Sequence, residues 1–371
     1  MIITEIQLKQ FRNYEGIAFA PSPGVTVLYG PNGVGKTNLL EAIHLCALGR
    51  SHRLSQDKEL IRKGKEAAVC QVTCRRRDGM HQVGVKLTPS QARKKQICIN
   101  GKKALRIGEM MGHVTCVMFS PEDLQLVKEG PALRRRFLDM QISQAQPAYF
   151  YDLQRYTQAL NQRNILLRQM KGNLNAAEKA MLPVWEEQLA RNGLNIIVRR
   201  RRFMEELSPM AREKYAAISG RDWEVFEAAY KCCLPSEKLE DMMAAYDKGR
   251  DEDIRRGTTS FGPHREDMIL TLSGRDMKTF ASQGQIRTAA LALKLSELEL
   301  LTRWSGEAPA LLLDDVMSEL DARRRALLLE HIKGVQTFVT CTDESDLAGA
   351  QAQQKVKITI DPETFLAKLE A

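Results

Sequence analysis

The feature that most constrains the fold is a glycine-rich motif near the amino end. Residues 30–37 read GPNGVGKT and match G-x-x-x-x-G-K-[ST] at every specified position. A β-branched run at residues 24–29 leads into the motif, and apolar residues with helical spacing follow over residues 38–48. A strand, a glycine-rich turn and a helix in this order are typical of a P-loop, because loop amides and the helix N-terminus converge on one anion. The motif therefore predicts a polyphosphate-binding loop at the edge of an α/β sheet.

Each residue of this loop is a candidate ligand of the phosphates. We expect Lys36 to place a positive charge on the outer phosphates and Thr37 to offer its hydroxyl to Mg²⁺. The backbone of the other positions supplies amide donors, except at Pro31, which has no N–H. The predicted phosphate-binding residues are Gly30, Pro31, Asn32, Gly33, Val34, Gly35, Lys36 and Thr37.

A second motif lies near the opposite end of the sequence, where the apolar residues 309–313 run into Asp314 and Asp315. An apolar strand that ends in a carboxylate presents this group at the carboxyl edge of a parallel sheet, where phosphates bind. We expect Asp314 to hold Mg²⁺, partly through water, and Asp315 to polarise the attacking water; with Lys36 they are the candidate catalytic residues. Because most of the chain separates the two motifs, an insertion must divide one site, which excludes compact GTPases and small kinases.

A positively charged stretch covers residues 53–106, which hold fifteen Lys and Arg against four Asp and Glu in a chain of net charge +9. Short alternating runs in it are separated by Asp78-Gly79 and Asn100-Gly101, pairs that favour hairpin turns. We therefore expect an antiparallel sheet whose charge suits a polyanion such as DNA. A solvated, lysine-rich surface is the alternative. The candidate DNA-binding residues are Arg75, Arg76, Arg77, Arg93, Lys94 and Lys95.

The middle of the sequence is helix-forming almost without a break over residues 132–219. Two helices, at residues 149–170 and 176–217, are expected to form an antiparallel hairpin around Gly172-Asn173. Their many charges suggest a protruding arm rather than a buried core. Strands alternate with helices again toward the carboxyl end, as in a parallel α/β sheet.

Two features of the composition indicate the compartment. No apolar run approaches the ~18 residues that span a bilayer, so we expect no membrane contact. The eight cysteines show no metal-binding spacing and lie mostly in apolar runs. Such a pattern is typical of reduced, buried thiols in a cytoplasmic protein.

A third motif, Ser282-Gln283-Gly284-Gln285, opens an apolar helix expected over residues 285–304. Serine at a helix start is typical of an ordinary N-cap. The same sequence also provides an amide-rich helix N-terminus that can take an anion. The motif is thus compatible with an ordinary N-cap and with an anion-binding site.

Together these motifs resemble known families. Residues 30–37, 282–285 and 311–315, followed by Ser-Glu-Leu-Asp at 318–321, resemble the Walker A, signature, Walker B and D-loop motifs of ABC-type ATPases. The first strand leads into Phe-Arg-Asn-Tyr at 11–14, which resembles the opening of SMC-like proteins. Three further features, a short helical arm, TSFGPHR at 259–265 and MFSPEDL at 118–124, resemble the RecF family of bacterial recombination mediators.

This resemblance implies an α/β fold: an ABC-type ATPase head, with a P-loop parallel sheet plus an antiparallel β subdomain, and an inserted helical arm. The expected segments are the amino-terminal half of the head with the basic sheet (1–130), the arm or second lobe (131–257) and the carboxyl-terminal half with the signature and Walker B motifs (258–371). The implied cofactors are ATP and Mg²⁺. Arg12 and Asn13 would lie near the nucleotide.

The resemblance also implies partners. ATP would join a homodimer in which Ser282, Gly284 and Gln285 touch the nucleotide of the second protomer. The dimer would clamp double-stranded and gapped DNA and, with RecO and RecR, help to load RecA on single strands. Alternatives are an SMC-type DNA-bridging ATPase, the ATPase subunit of an ABC transporter, or a phosphotransferase.

Three positions depart from the family motifs, and two of the departures, the shorter base and the missing histidine, imply slow, switch-like turnover. Asp315 stands where many relatives carry Glu, so the carboxylate is one methylene shorter. Thr342 replaces the switch histidine, and residues 120–123, where the Q-loop falls, contain no glutamine.

Overall fold

The structure is a computed structural model that describes residues 1–53, 56–89, 94–170, 176–343, 352–361, 364 and 366–370. The chain divides into two compact units, and neither is continuous in sequence. Unit 1 comprises Met1–Leu124, Ala217–Gly220 and Ala290–Ala371, whereas unit 2 comprises Gln125–Ala216 and Arg221–Ala289. The division at residues 130 and 257 stays a prediction.

The described strands are β1 (Ile2–Phe11), β2 (Tyr14–Phe19), β3 (Val25–Tyr29), β4 (Ala68–Arg76), β5 (Gly79–Leu87), β6 (Lys95–Ile99), β7 (Lys102–Lys103), β8 (Cys116–Phe119), β9 (Phe226–Lys231), β10 (Asp267–Leu272), β11 (Arg275–Asp276), β12 (Ala310–Asp314), β13 (Thr337–Cys341), β14 (Gln354–Ile360) and β15 (Ala367–Glu370). The described α-helices are α1 (Lys36–Leu48), α2 (Gln125–Lys128), α3 (Pro131–Ala145), α4 (Pro147–Met170), α5 (Ala176–Ser219), α6 (Leu239–Arg256), α7 (Met277–Phe280), α8 (Gln283–Ser305), α9 (Val316–Glu319) and α10 (Ala322–His331).

One sheet of unit 1, which we call the P-loop sheet, has the strand order β15-β14-β3-β13-β12-β8. Its neighbours from β14 to β8 are parallel, and only β15 is antiparallel to β14. Every residue of β12 and β13 is buried. A parallel sheet covered on both faces requires such continuous apolar strands. The predicted strands at 24–29 and 309–313 are confirmed, as is the alternation of strands with helices toward the carboxyl end, and the sheet gains β8 and β14, which the sequence did not indicate.

The second sheet of unit 1, which we call the antiparallel sheet, has the order β2-β1-β4-β5-β6-β7. Its strands alternate, with Cys70, Val72 and Cys74 of β4 buried and the residues between them more exposed. Asn100 and Gly101 have φ of 50° and 76°, as a two-residue hairpin turn requires. The predicted hairpins at residues 78–79 and 100–101 are confirmed.

Unit 2 combines helices with a small sheet of order β11-β10-β9. The predicted helical pair is confirmed as α4 and α5, and the turn expected at Gly172-Asn173 lies outside the described residues. The expectation that these helices have no buried core is wrong, since Tyr149, Phe203 and Leu207 are fully buried. Charged residues in these helices do not mark an exposed surface, because Arg163 is also fully buried and pairs with acidic side chains inside the unit.

Within the described residues, none of the helices has the length and apolar character needed to cross a bilayer.

Candidate functional site

The glycine-rich loop connects the end of β3 to the start of α1. Gly30 and Gly35 have φ of 149° and 110°, in a region that favours glycine. A Cβ on Gly30 would lie 2.3 Å from the carbonyl oxygen of Ile358, and one on Gly35 would lie 2.6 Å from the amide of Asn13. The backbone angle therefore favours glycine at both positions, and at Gly30 the neighbouring backbone also leaves no room for a Cβ.

Lys36 is the first residue of α1 and is only 4% exposed. Its ammonium donates hydrogen bonds to the carbonyl oxygens of Gly30 (2.7 Å) and Pro31 (3.1 Å). The side chain thus folds back over the loop, where its charge would meet phosphates bound by the loop amides.

The two motifs from opposite ends of the chain meet in unit 1. The Thr37 hydroxyl donates to Asp314 Oδ1 at 2.6 Å, across 277 positions of sequence. Burial raises the pKa of Asp314, against hydrogen bonds from Thr37 and Thr340 that lower it. Hydroxyl and carboxylate oxygens are the ligands that Mg²⁺ prefers, so these two residues fit the predicted cation.

Thr340 is a component that the sequence interpretation missed. Its hydroxyl lies 2.9 Å from Asp314 Oδ1 and also accepts the Asp315 amide at 2.9 Å. Since β12 and β13 are parallel neighbours, the residue at the end of β13 necessarily stands beside Asp314. Asp315 has φ 53°, an uncommon angle for a residue with a side chain that often marks a functional position. Its role toward water stays a prediction.

Arg12 and Asn13 occupy the β1–β2 turn. The Asn13 amide donates to the carbonyl of Val34 at 2.8 Å, so this residue lies directly against the loop. Arg12 instead forms an ion pair with Glu41 of α1 at 2.8 Å, and the Glu41 side chain is fully buried. The charge of Arg12 is therefore partly neutralised within the protein.

The Ser282 motif lies in unit 2, at the start of α8. The Ser282 hydroxyl accepts the Gln285 amide at 3.3 Å, and Gln285 Oε1 accepts the Ser282 amide at 2.8 Å. This reciprocal pair is a capping box. Gln285 also donates to Glu224 at 3.0 Å. The structure thus shows the N-cap, and a nucleotide contact by Ser282, Gly284 and Gln285 stays a prediction.

The predicted DNA-binding residues fall into different environments. Arg75, Arg77 and Lys94 are exposed, and Arg93 lies outside the described residues. Arg76 lies 3.6 Å from Glu307, and Lys95 lies 2.8 Å from Asp57. These ion pairs leave the side chains of Arg76 and Lys95 only 13% and 14% exposed.

Strand register identifies further basic residues on the solvent face of the antiparallel sheet. Lys9 lies opposite Val69, and Val69 lies opposite Lys86. Arg75 shares this face of β4 with Val69, because side chains two residues apart point the same way. Lys103 of β7 lies on the same face, because it pairs with Cys98 of β6, which in turn pairs with Gly84 of β5. The sequence shows these lysines, but only the register places them on one face.

The P-loop sheet, the paired motifs and the antiparallel sheet define the head of an ABC-type ATPase. The model of the RecF/RecN/SMC N terminal domain family matches residues 2–364. The Smc head domain of Pyrococcus furiosus has a TM-score of 0.57 at 18% identity, over 100% of this chain and 96% of that one, a likeness of fold alone.

Two proteins of higher identity indicate the family within the ABC-type ATPases. The DNA replication and repair protein RecF of Symbiobacterium thermophilum is 42% identical over 359 residues, covering 94% of this chain and 93% of that protein. A structure described as the recombination mediator protein RecF-ATP in the RecFOR pathway superposes with a TM-score of 0.90 at 36% identity, over 100% of this chain and 98% of that one. The chain belongs to the RecF family.

Proposed function

We propose that this protein is an ATP-dependent DNA-binding protein of replication and recombinational repair, which binds DNA as an ATP-joined dimer and releases it on slow hydrolysis. The observation that carries the proposal is the contact between Thr37 and Asp314. It joins a phosphate-binding loop and an acidic strand end into one site. The names of its relatives, which describe replication, repair and the RecFOR pathway, support the biological setting.

The nucleotide site would use residues 30–37 for the triphosphate and Thr37 with Asp314 for Mg²⁺. Bound MgATP supplies the phosphoanhydride bond that is broken. Lys36 balances negative charge on the outer phosphates, and Asp315 polarises a water molecule. Because the Asp315 side chain is one methylene shorter than that of glutamate, its carboxylate would reach less far toward such a water, which would favour slow turnover.

The dimer would be head to tail, with Ser282, Gly284 and Gln285 of one protomer against the nucleotide of the other. In this setting RecR and RecO are the direct protein partners, RecA acts downstream, and the compartment is the cytoplasm. The exposed position of Ser282 supports such a contact.

The DNA surface would be the solvent face of the antiparallel sheet. Lys9, Arg75, Lys86 and Lys103 are all exposed there, and Arg77 and Lys94 are exposed at its margins. Lysine and arginine bind phosphates without reading bases. Binding should therefore depend strongly on salt and weakly on sequence.

The nucleotide part is tested by the oligomeric state with and without MgATP and a DNA duplex, measured by light scattering. We expect Lys36→Met to abolish ATP binding and dimerisation. Ser282→Arg should abolish dimerisation but preserve ATP binding. Ser236→Arg, which alters a serine before α6, is the matched control and should dimerise. A Ser282→Arg protein that dimerises like the control would contradict the cross-protomer contact.

The DNA part is tested by the salt dependence of duplex binding. Each lost phosphate contact reduces the slope of log K against log[salt] by about 0.9, so Lys9→Glu, Arg75→Glu and Lys86→Glu together should reduce it by about 2.7. Lys357→Glu changes an exposed strand lysine of the P-loop sheet and should leave the slope unchanged. An unchanged slope in the triple variant would place the DNA elsewhere.

A further inference from the structure

A buried group of charges lies in unit 1 outside the nucleotide site. Lys294 and Glu297 belong to α8, and Asp123 lies on the Pro121–Leu124 turn that follows β8. The Lys294 ammonium is 2.8 Å from Glu297 Oε2 and 3.8 Å from Asp123 Oδ1. The Lys294 and Glu297 side chains are 5% and 0% exposed. One lysine is thus shared by two carboxylates.

Packing alone does not account for these charges. Leu293, Leu295 and Leu298 around them on α8 are buried and apolar. Replacing a buried ion pair by well-packed apolar side chains is commonly neutral or stabilising. Burial raises the pKa of Glu297 to about 7. The Lys294 pKa is raised even though burial lowers it, because Asp123 and Glu297 stabilise the ammonium.

The turn that carries Asp123 begins beside the metal-site strand. β8 and β12 are parallel and pair Phe119 with Leu313, so the chain leaves β8 next to Asp314. Asp123 Oδ2 accepts the Ser120 amide at 2.7 Å and closes the turn. The position of Asp123 therefore sets the path of the backbone at this edge of the P-loop sheet.

The same turn also contacts the segment that follows α1. Its Glu122 lies 3.9 Å from Arg53 in an exposed ion pair. Through the pairing of β8 with β12, a displaced turn would also shift the backbone beside Asp314, without removing any phosphate-binding group.

We propose that Lys294 is a positioning residue for ATP hydrolysis, which holds the Pro121–Leu124 turn through Asp123 and so keeps the surroundings of Asp314 in place. This inference rests on the proposed function. Lys294 would act on the rate of hydrolysis, whereas residues 30–37 would bind the nucleotide itself. Loss of the Lys294–Asp123 contact should reduce kcat while leaving ATP affinity nearly unchanged.

The test compares Lys294→Met/Glu297→Met with Glu297→Met alone in the full-length protein, using MgATP. The double variant removes both buried charges together, so no unpaired charge remains in α8 and folding should be retained. We expect its kcat to fall at least tenfold and its Kd for MgATP to change less than threefold. Glu297→Met keeps the Lys294–Asp123 contact and should keep kcat within twofold of the parent.

A second variant tests the contact from the other side. Asp123→Asn retains an acceptor for the Ser120 amide but lacks the charge, so it should lower kcat as the double variant does. This variant also tests the Lys294–Asp123 contact if the double variant does not fold. Arg303→Met, which breaks an exposed pair with Glu299 on the same helix, should change neither constant.

The outcomes separate this inference from the proposed function. An unchanged kcat in the double variant or in Asp123→Asn, an equal loss in Glu297→Met, or a loss confined to ATP affinity would each overturn the role of Lys294. In those cases Lys36→Met would still abolish nucleotide binding. Were Lys36→Met also without effect, the nucleotide site itself would be wrongly assigned.

Discussion

The buried arginine of unit 2 allows a quantitative prediction. Arg163 of α4 donates to Glu186 at 2.9 Å, to Asp253 at 2.7 Å and to the Thr259 hydroxyl at 2.8 Å. The three charged side chains are 0%, 2% and 1% exposed, respectively. We consider Arg163→Met, which keeps most of the apolar volume and removes the shared positive charge.

The loss of stability in Arg163→Met depends on the hydrogen-bond and charge partners that each carboxylate retains. Glu186 keeps Arg250 at 2.7 Å, so it remains partly compensated. Asp253 keeps the Ser260 amide at 2.9 Å but loses its counter-charge. Breaking a buried pair from one side costs about 3–5 kcal/mol, and the remaining partners place this case near the lower end of that range.

Native-state hydrogen exchange, read on peptides from α4 and α6, measures the effect locally. A loss of about 3 kcal/mol lowers protection by about two orders of magnitude, since 1.4 kcal/mol is tenfold. Arg191→Met breaks an exposed pair with Glu187 and should cost about 0.2–1 kcal/mol. Adding Asp253→Asn to Arg163→Met should restore part of the protection. Equal losses of protection in Arg163→Met and Arg191→Met would show that the buried pairs stabilise unit 2 no more than an exposed pair does.

Two further predictions concern the same unit. Gly262 has φ +124°, and a Cβ there would lie 2.4 Å from the Tyr156 hydroxyl and 2.7 Å from that of Tyr246, so Gly262→Ala should lower the Tm by several degrees. Gly249→Ala, at a helical position with open space around it, should stabilise by up to about 1 kcal/mol, and equal Tm changes would argue against the steric reason. Burial lowers the pKa of His264 from 6.5 to about 4. The unfolded chain therefore takes up this proton first, and stability should fall by up to about 1.4 kcal/mol per pH unit as pH drops through that interval; a His264→Gln protein with the same slope in urea titrations would contradict this assignment.

Local sequence signals predicted the parts of the fold that depend on nearby residues. The glycine loop, the hairpins and the helical pair each have a short-range signature. The meeting of Thr37 with Asp314 also followed from sequence, because the carboxyl ends of parallel strands share one edge. By contrast, β8 and β14 acquire their places only from neighbours far along the chain.

Charge was the least predictable property, because a charged residue does not reveal its partner. The run at residues 199–202 looks like a solvated surface in the sequence. In the structure Arg199 pairs with Asp152, Arg200 pairs with Asp139 and Arg201 pairs with Glu237. These partners lie tens of residues away, so no local pattern could identify them. The same holds for the ion pairs of Arg76 and Lys95 within unit 1.

The position of β3 in the P-loop sheet has a consequence for synthesis of the protein. Both neighbours of β3, namely β13 and β14, are encoded far downstream. At about 5–20 residues per second a ribosome needs about 15–60 s to pass from Tyr29 to Thr337. Throughout that interval β3 exposes two unpaired edges, which are a hazard for aggregation. The nascent chain is thus expected to depend on co-translational protection, and a product terminated before Asp314 would lack one half of the predicted cation site.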